Sequence, residues 1–235
     1  MTARGVEVFF RDITRACTNA YKSLKIDTKH QRIGLGVLAA VLLVGGGYFG
    51  YRWYMDYRDR AAQVDFSSCS QLLQDVELSG APEGWTQLEQ QATRGYRAHS
   101  SSSYAPYFKV LESHALRGMG NQSAAIAAMH EAYNVVSSSN PLVGLLRLRL
   151  VLMQLDSDDE SGRTQALEQL KAFASEKGAA NRDGALFFLG RVYWSRGDID
   201  QARDVWRELV ELYPTDDEGA SAWAREAAKV LAYLP

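Results

Sequence analysis

The sequence contains few of the residues that build metal, disulfide or proline-rich structures. Its 235 residues include two cysteines, four histidines and five prolines. Two cysteines exclude a disulfide scaffold and a cysteine-rich zinc module, and so few prolines exclude a proline-rich linker. Neither sign of charge dominates, since 26 Lys and Arg stand against 28 Asp and Glu. This near balance disfavours a strongly basic nucleic-acid binder.

Enzyme motifs are absent as well. The chain has no H-E-x-x-H, C-x-x-C, G-x-x-x-x-G-K-[ST] or G-x-S-x-G sequence. The run from Asp156 to Glu160 resembles the start of a calcium loop, but Ser161 stands where such a loop needs glycine and Leu167 where it needs glutamate. We therefore predict a non-enzyme with no catalytic residue, metal site, cofactor or small-molecule substrate.

The chain does contain one long apolar run without charge, at residues 33–51. As a helix these 19 residues would span roughly 28 Å, close to the ~30 Å thickness of a bilayer core. Aromatic residues crowd the C-terminal end of the run, as is typical of a membrane interface. We predict a transmembrane helix over 33–52. A buried core helix and a cleaved signal peptide are the alternatives.

Charge is distributed unequally around this run. Residues 1–32 hold seven basic and three acidic side chains, whereas the rest of the chain holds 19 basic and 25 acidic ones. The positive-inside rule then predicts an inner-membrane protein with a cytoplasmic N-terminus and with residues 53–235 in the periplasm. Small residues spaced four apart are candidates for packing against another membrane helix: Gly36 with Ala40, and Gly46 with Gly50.

Residues 1–32 have apolar side chains at helical spacing, with basic side chains between them. This pattern predicts an amphipathic helix on the cytoplasmic side. It suits the surface of an anionic leaflet and also the surface of a partner protein, and the sequence does not distinguish the two.

Beyond the apolar run, periods of about 3.6 residues alternate with short Gly, Ser, Asn and Pro clusters. This pattern predicts an all-α fold in which residues 53–235 form a helical repeat domain. The predicted helices are 53–78, 85–99, 104–118, 122–136, 142–155, 162–176, 183–196, 199–212 and a capping helix at 217–233.

The best repeat covers residues 183–216 and resembles the tetratricopeptide repeat (TPR) at nearly every signature position. Small residues are expected where its two helices meet, large ones between repeats, and proline after the second helix. The signature residues are Leu186, Leu189, Gly190, Tyr193, Ala202, Trp206 and Pro214.

The whole layout is similar to that of the YfgM-type ancillary subunit family of the SecYEG translocon. Phe9-Phe10 in the arm, the glycine-rich run and the segments 146–170 and 184–206 carry the resemblance. The resemblance implies a membrane-anchored adaptor that meets the SecYEG translocon, periplasmic chaperones or nascent secretory chains. A scaffold subunit of another envelope complex, for division, outer-membrane assembly or secretion, is the alternative.

Two arginines interrupt the apolar run 142–155 and are candidates for partner binding. Arg147 and Arg149 are expected either to line the concave groove of the repeat domain or to form ion pairs with neighbouring acidic loops. The sequence favours neither reading over the other.

Overall fold

The computed structural model describes Arg15, residues 29–215 and residues 220–234, without the side chains of 29–39 and 41. The predicted amphipathic arm therefore lies almost wholly outside the described residues. The described chain forms nine α-helices and no strand, which confirms the all-α prediction. It divides into two compact units, Met1–Asp56 and Tyr57–Pro235.

The first helix, α1, runs from Lys29 to Ser79 without interruption. The sequence predicted separate helices on either side of position 52, but no glycine or proline lies between 51 and 79, so nothing ends the helix there. No helix in the described part of the chain is long and apolar enough to cross a membrane. The predicted transmembrane helix over 33–52 is thus not supported by the structure.

The remaining helices follow the predicted order, and all except the last have bounds within a few residues of those predicted. Consecutive helices from α2 onward pack side by side, and α7 also contacts both α5 and α9. The bounds are α2 Pro82–Ala98, α3 Ala105–Gly118, α4 Gln122–Val135, α5 Val143–Leu155, α6 Glu160–Ser175, α7 Arg182–Ser195, α8 Ile199–Leu212 and α9 Ala222–Tyr233.

Short turns with identifiable local signals join these helices. Gly80 follows α1 with φ +64°, a conformation that glycine adopts without strain, and Pro82 begins α2 at a position where a backbone N–H has no helical partner. Asn121 caps α4 by accepting a hydrogen bond from the backbone N–H of Ala124 at 3.2 Å. These signals explain why the sequence predicted most helix ends well.

The last helix begins later than predicted. The sequence placed its start at 217, with a capping box over 215–218, whereas α9 begins at Ala222. Ser221 supplies the cap instead, accepting a hydrogen bond from the backbone N–H of Ala224 at 3.2 Å. Residues 216–219 lie outside the described part of the chain.

Three apolar clusters stabilise the second unit. One joins α1, α2 and α3 around Phe108 and Cys69, both fully buried. Burial raises the pKa of the Cys69 thiol to about 11, so the thiol stays protonated at neutral pH. The second cluster lies between α4 and α5, and the third joins α5 through α9 around Trp206.

Helix α5 lies between two of these clusters. Leu146, Leu150 and Met153 belong to the cluster with α4, whereas Leu148 and Val151 belong to the one with α6 and α7. Burial on two sides explains why this helix is apolar almost throughout.

Candidate protein-binding groove

An open groove of about 630 Å³ lies between α3, α5 and α7. These are the first helices of three successive helical pairs, α3–α4, α5–α6 and α7–α8. The floor of the groove is apolar, with Leu152 of α5 and Phe188 and Val192 of α7 partly exposed in it. Its polar lining includes Arg117 of α3, Arg149 of α5 and Arg191 of α7.

Arg149 is the most enclosed of these three arginines. Its guanidinium donates a hydrogen bond to Nε2 of His114 on α3. Burial, together with the nearby positive charges of Arg149 and Arg117, lowers the pKa of His114 to about 4. Burial and the charge of Arg117 likewise lower the pKa of Arg149. His114 is therefore neutral at neutral pH, and the positive charge of Arg149 beside it has no negative charge from this residue to balance it.

Arg147, the other predicted groove residue, lies elsewhere. Its guanidinium forms an ion pair with Glu176 at 2.6 Å and lies 4.3 Å from the centre of the Phe173 ring. These contacts join α5 to the end of α6. Of the two predicted arginines, only Arg149 lines the groove.

In the part of the chain that the structure describes, no three His, Cys, Asp or Glu side chains are grouped so that they could hold a metal ion. The groove itself offers cationic and apolar side chains, with Asp156 as its one acidic lining residue among those described.

A family model described as a tetratricopeptide repeat-like domain matches residues 30–218. The chain belongs to this tetratricopeptide repeat-like family. No curated protein matches the sequence. The narrower resemblance to YfgM-type subunits is not shown by the family match.

The signature positions of the best TPR-like repeat lie where α7 and α8 meet. A Cβ atom at Gly190 would overlap the Trp206 indole, so only glycine lets α8 approach this closely. The Trp206 indole N–H donates to the Phe187 carbonyl at 3.1 Å, which fixes the ring. Leu186, Leu189, Ala202 and Trp206 are buried, Tyr193 is partly buried, and Pro214 follows the end of α8.

The small residues predicted to pack in a membrane lie in the first unit of this TPR-like chain. A Cβ atom added at Gly46 or Gly50 would meet no other atom within 4 Å. Ala40 is exposed, and the surroundings of Gly36 lie outside the described residues. Among the described residues, no neighbouring atom approaches Gly46 or Gly50, and the role of all four positions stays a prediction.

Sequence reasoning missed two of the groove arginines. Arg117 and Arg191 are exposed residues near the ends of α3 and α7, and neither occupies a TPR signature position. Each lies on the first helix of its pair, but the repeats before residue 183 are too degenerate to align, so no sequence pattern marked these positions.

Proposed function

We propose that this protein is a membrane-anchored adaptor whose TPR-like domain binds segments of other proteins in the groove between α3, α5 and α7. The observation that carries the proposal is the groove itself, which three stacked helical pairs leave open. TPR-like domains generally mediate protein–protein interactions, and family membership supports the same role here.

The composition of the groove suits a polypeptide ligand. Leu152, Phe188 and Val192 offer apolar area that a bound side chain would cover, and the arginines around them offer hydrogen bonds. An open groove of this size accommodates an extended chain better than a compact small molecule. These properties favour protein binding over catalysis.

Anchoring to a membrane is supported by the sequence and by exposed apolar side chains in the first unit. Residues 33–51 carry no charge. Within that run Leu43, Val44 and Phe49 are each about 70% exposed on α1. Apolar side chains so exposed favour an apolar environment around the helix. We accordingly propose that α1 anchors the chain and that the basic arm stays in the cytoplasm, which leaves the TPR-like domain in the periplasm.

The proposed partners are the SecYEG translocon, periplasmic chaperones and nascent secretory chains. The support is the resemblance of the full layout to YfgM-type subunits together with the proposed topology. A domain held beside the outer face of the translocon would meet polypeptides while they are still extended, the form that fits an open groove.

Photo-crosslinking in membranes of the native host tests this proposal. Ser195, which lines the groove, and Ala172, which is exposed on α6 away from it, are each replaced by a photoreactive phenylalanine analogue. We expect adducts with translocon subunits or secretory chains at position 195 and few at position 172. Adducts only with subunits of another envelope complex would support the scaffold alternative. Equal labelling at both positions, or none at 195, would contradict a binding groove.

A further inference from the structure

The groove presents three positive charges that come from three different helices. Arg117, Arg149 and Arg191 lie on the first helices of three successive pairs and line the same space. In the described part of the chain none of them forms an ion pair with a carboxylate. Asp156 lines the groove as well but pairs with none of them, so the lining keeps a net positive charge.

Cations at other helix interfaces of this domain are neutralised. Lys109 contacts Glu112 at 2.9 Å and Glu131 at 2.7 Å. Arg147 and Arg182 are each paired with a glutamate, at 2.6 and 2.8 Å. A partly enclosed guanidinium such as that of Arg149 is costly without an anionic partner. Among the residues that the structure describes, Arg149 has no such partner.

The surroundings of the arginines restrict the chemistry of that ligand. The guanidinium of Arg191 lies 5.8 Å from the centre of the Phe188 ring, so one side of this charge faces apolar surface. Leu152 and Val192 continue that surface. A volume of about 630 Å³ is far larger than a single inorganic anion and fits several residues of extended chain. Guanidinium groups bind carboxylates through paired hydrogen bonds.

We propose that the groove binds an extended acidic segment of a partner protein, whose carboxylates pair with Arg149 and Arg191 and whose apolar side chains cover Phe188 and Val192. This inference rests on the proposed function and specifies the class of peptide that the adaptor recognises. Arg117, an exposed lining residue of the groove, attracts the same negative charge. Burial and then the positive charges of Arg149 and Arg117 lower the pKa of His114, and the second of these causes is consistent with unbalanced charge in the groove.

Fluorescence anisotropy with the full chain in detergent tests the inference. The probes are a short labelled peptide in which glutamate and leucine alternate and the same peptide with glutamine in place of glutamate. We expect the acidic peptide to bind roughly tenfold or more tightly than the glutamine peptide. Its affinity should fall as salt rises from ~50 to ~300 mM, because surface charges are then screened. Equal binding of the two peptides would overturn the inference.

Three variants assign the binding to the groove. Arg149→Gln and Arg191→Gln should each weaken binding of the acidic peptide by roughly tenfold. Arg147→Gln, on the same helix as Arg149 but paired with Glu176, should change the affinity less than about twofold. Arg191 is exposed, so its replacement reports on binding even if Arg149→Gln lowers the melting temperature. An effect of Arg147→Gln as large as that of Arg149→Gln would contradict the assignment.

A labelled single-stranded oligonucleotide separates an acidic peptide from polyanions in general. Binding of the oligonucleotide but not of the peptide, with loss of oligonucleotide binding in Arg149→Gln, would overturn the inference in favour of a nucleic-acid site.

The crosslinking at Ser195 distinguishes failure of this inference from failure of the proposed function. Groove adducts in native membranes together with no preference for the acidic peptide would sink this inference alone, whereas absence of groove adducts would sink the proposed function.

Discussion

On α5 the side chains of Arg147 and Arg149 point to different sides of the helix, because residues two positions apart are separated by about 200°. Both arginines interrupt an apolar helix, and the sequence pattern predicted the same two alternatives for each of them. In the structure one pairs with Glu176 and the other with neutral His114. Helical geometry could have separated the two, but only the fold shows which of them faces the groove.

His114 should make the stability of the domain depend on pH. Its pKa lies at about 4 in the folded chain, below the ordinary value of 6.5. Between these values the unfolded chain binds a proton that the folded chain does not, so stability is complete above pH 6.5 and falls as the pH drops toward 4. We expect the free energy of unfolding to decrease by roughly 1–2 kcal/mol between neutral pH and about pH 5 through this group.

Urea unfolding of His114→Gln at both pH values measures this contribution. Glutamine keeps an acceptor for Arg149 and does not titrate, so the variant should lose less stability on acidification than the natural chain. His130→Gln, an exposed histidine, is the control and should behave like the natural chain. An unchanged pH dependence in His114→Gln would show that this histidine does not titrate as described.

At the scale of elements, helix pairs are joined by a few residues whose size or charge suits only one arrangement. Gly190 admits the Trp206 indole between α7 and α8. Arg182, at the start of α7, is 8% exposed and donates from Nε to the Ala174 carbonyl of α6 at 2.6 Å and from Nη2 to Glu208 of α8 at 2.8 Å. Gly190 thus lets α7 and α8 pack closely, and Arg182 links α6, α7 and α8.

Gly190→Leu should destabilise the last repeat. The added side chain meets an indole ring that is held by its own hydrogen bond to Phe187, so the ring cannot move away freely. Overpacking of this kind costs about 1–3 kcal/mol or more. Thermal unfolding followed by circular dichroism measures the loss. Ala172→Leu, at an exposed position of α6, is the matched control and should leave the melting temperature nearly unchanged. Equal melting of both variants would contradict the close approach at Gly190.

Arg182→Ala should also destabilise the domain, through lost hydrogen bonds rather than crowding. It leaves the Ala174 carbonyl without this partner and removes the ion pair to Glu208. Glu208 is half exposed, so water replaces part of the loss and we expect about 2–3 kcal/mol. Chemical denaturation gives the value. Lys229→Ala, which removes an exposed pair with Glu226, should cost less than ~0.5 kcal/mol. Comparable losses in the two variants would argue against a special role for Arg182.

Most helices of the second unit were predictable because their ends carry local signals. Gly80 with Pro82, and Asn121, mark ends that the sequence placed within a few residues. The predicted start of α9 was wrong because two capping signals lie close together, and the N-cap of the helix in the structure is Ser221. The groove was only partly predictable, since Arg117 and Arg191 come into proximity with Arg149 through tertiary packing that no local pattern records.

At the scale of the whole molecule, the two units differ in how their apolar residues are used. Among the described side chains, every buried apolar residue lies in the second unit, beginning with Ala62. The large apolar residues described between 42 and 54 are exposed. The second unit therefore contains its own core. The first unit offers apolar surface without a described core, as expected of a segment whose partner is a membrane or another protein.

A fragment that begins at Tyr57 should fold without the rest of the chain, because all three apolar clusters lie within it. We expect this fragment to be helical, to unfold cooperatively and to remain in the supernatant after centrifugation of cell membranes.

The full chain should sediment with the membranes and resist alkaline extraction, since it includes the uncharged run 33–51. Removal of residues 1–28 alone is the control, and that variant should still sediment because it retains the run. A full chain released by alkaline extraction would contradict anchoring through this segment. A fragment from Tyr57 that aggregates until residues 29–56 are restored would show instead that the second unit does not fold independently.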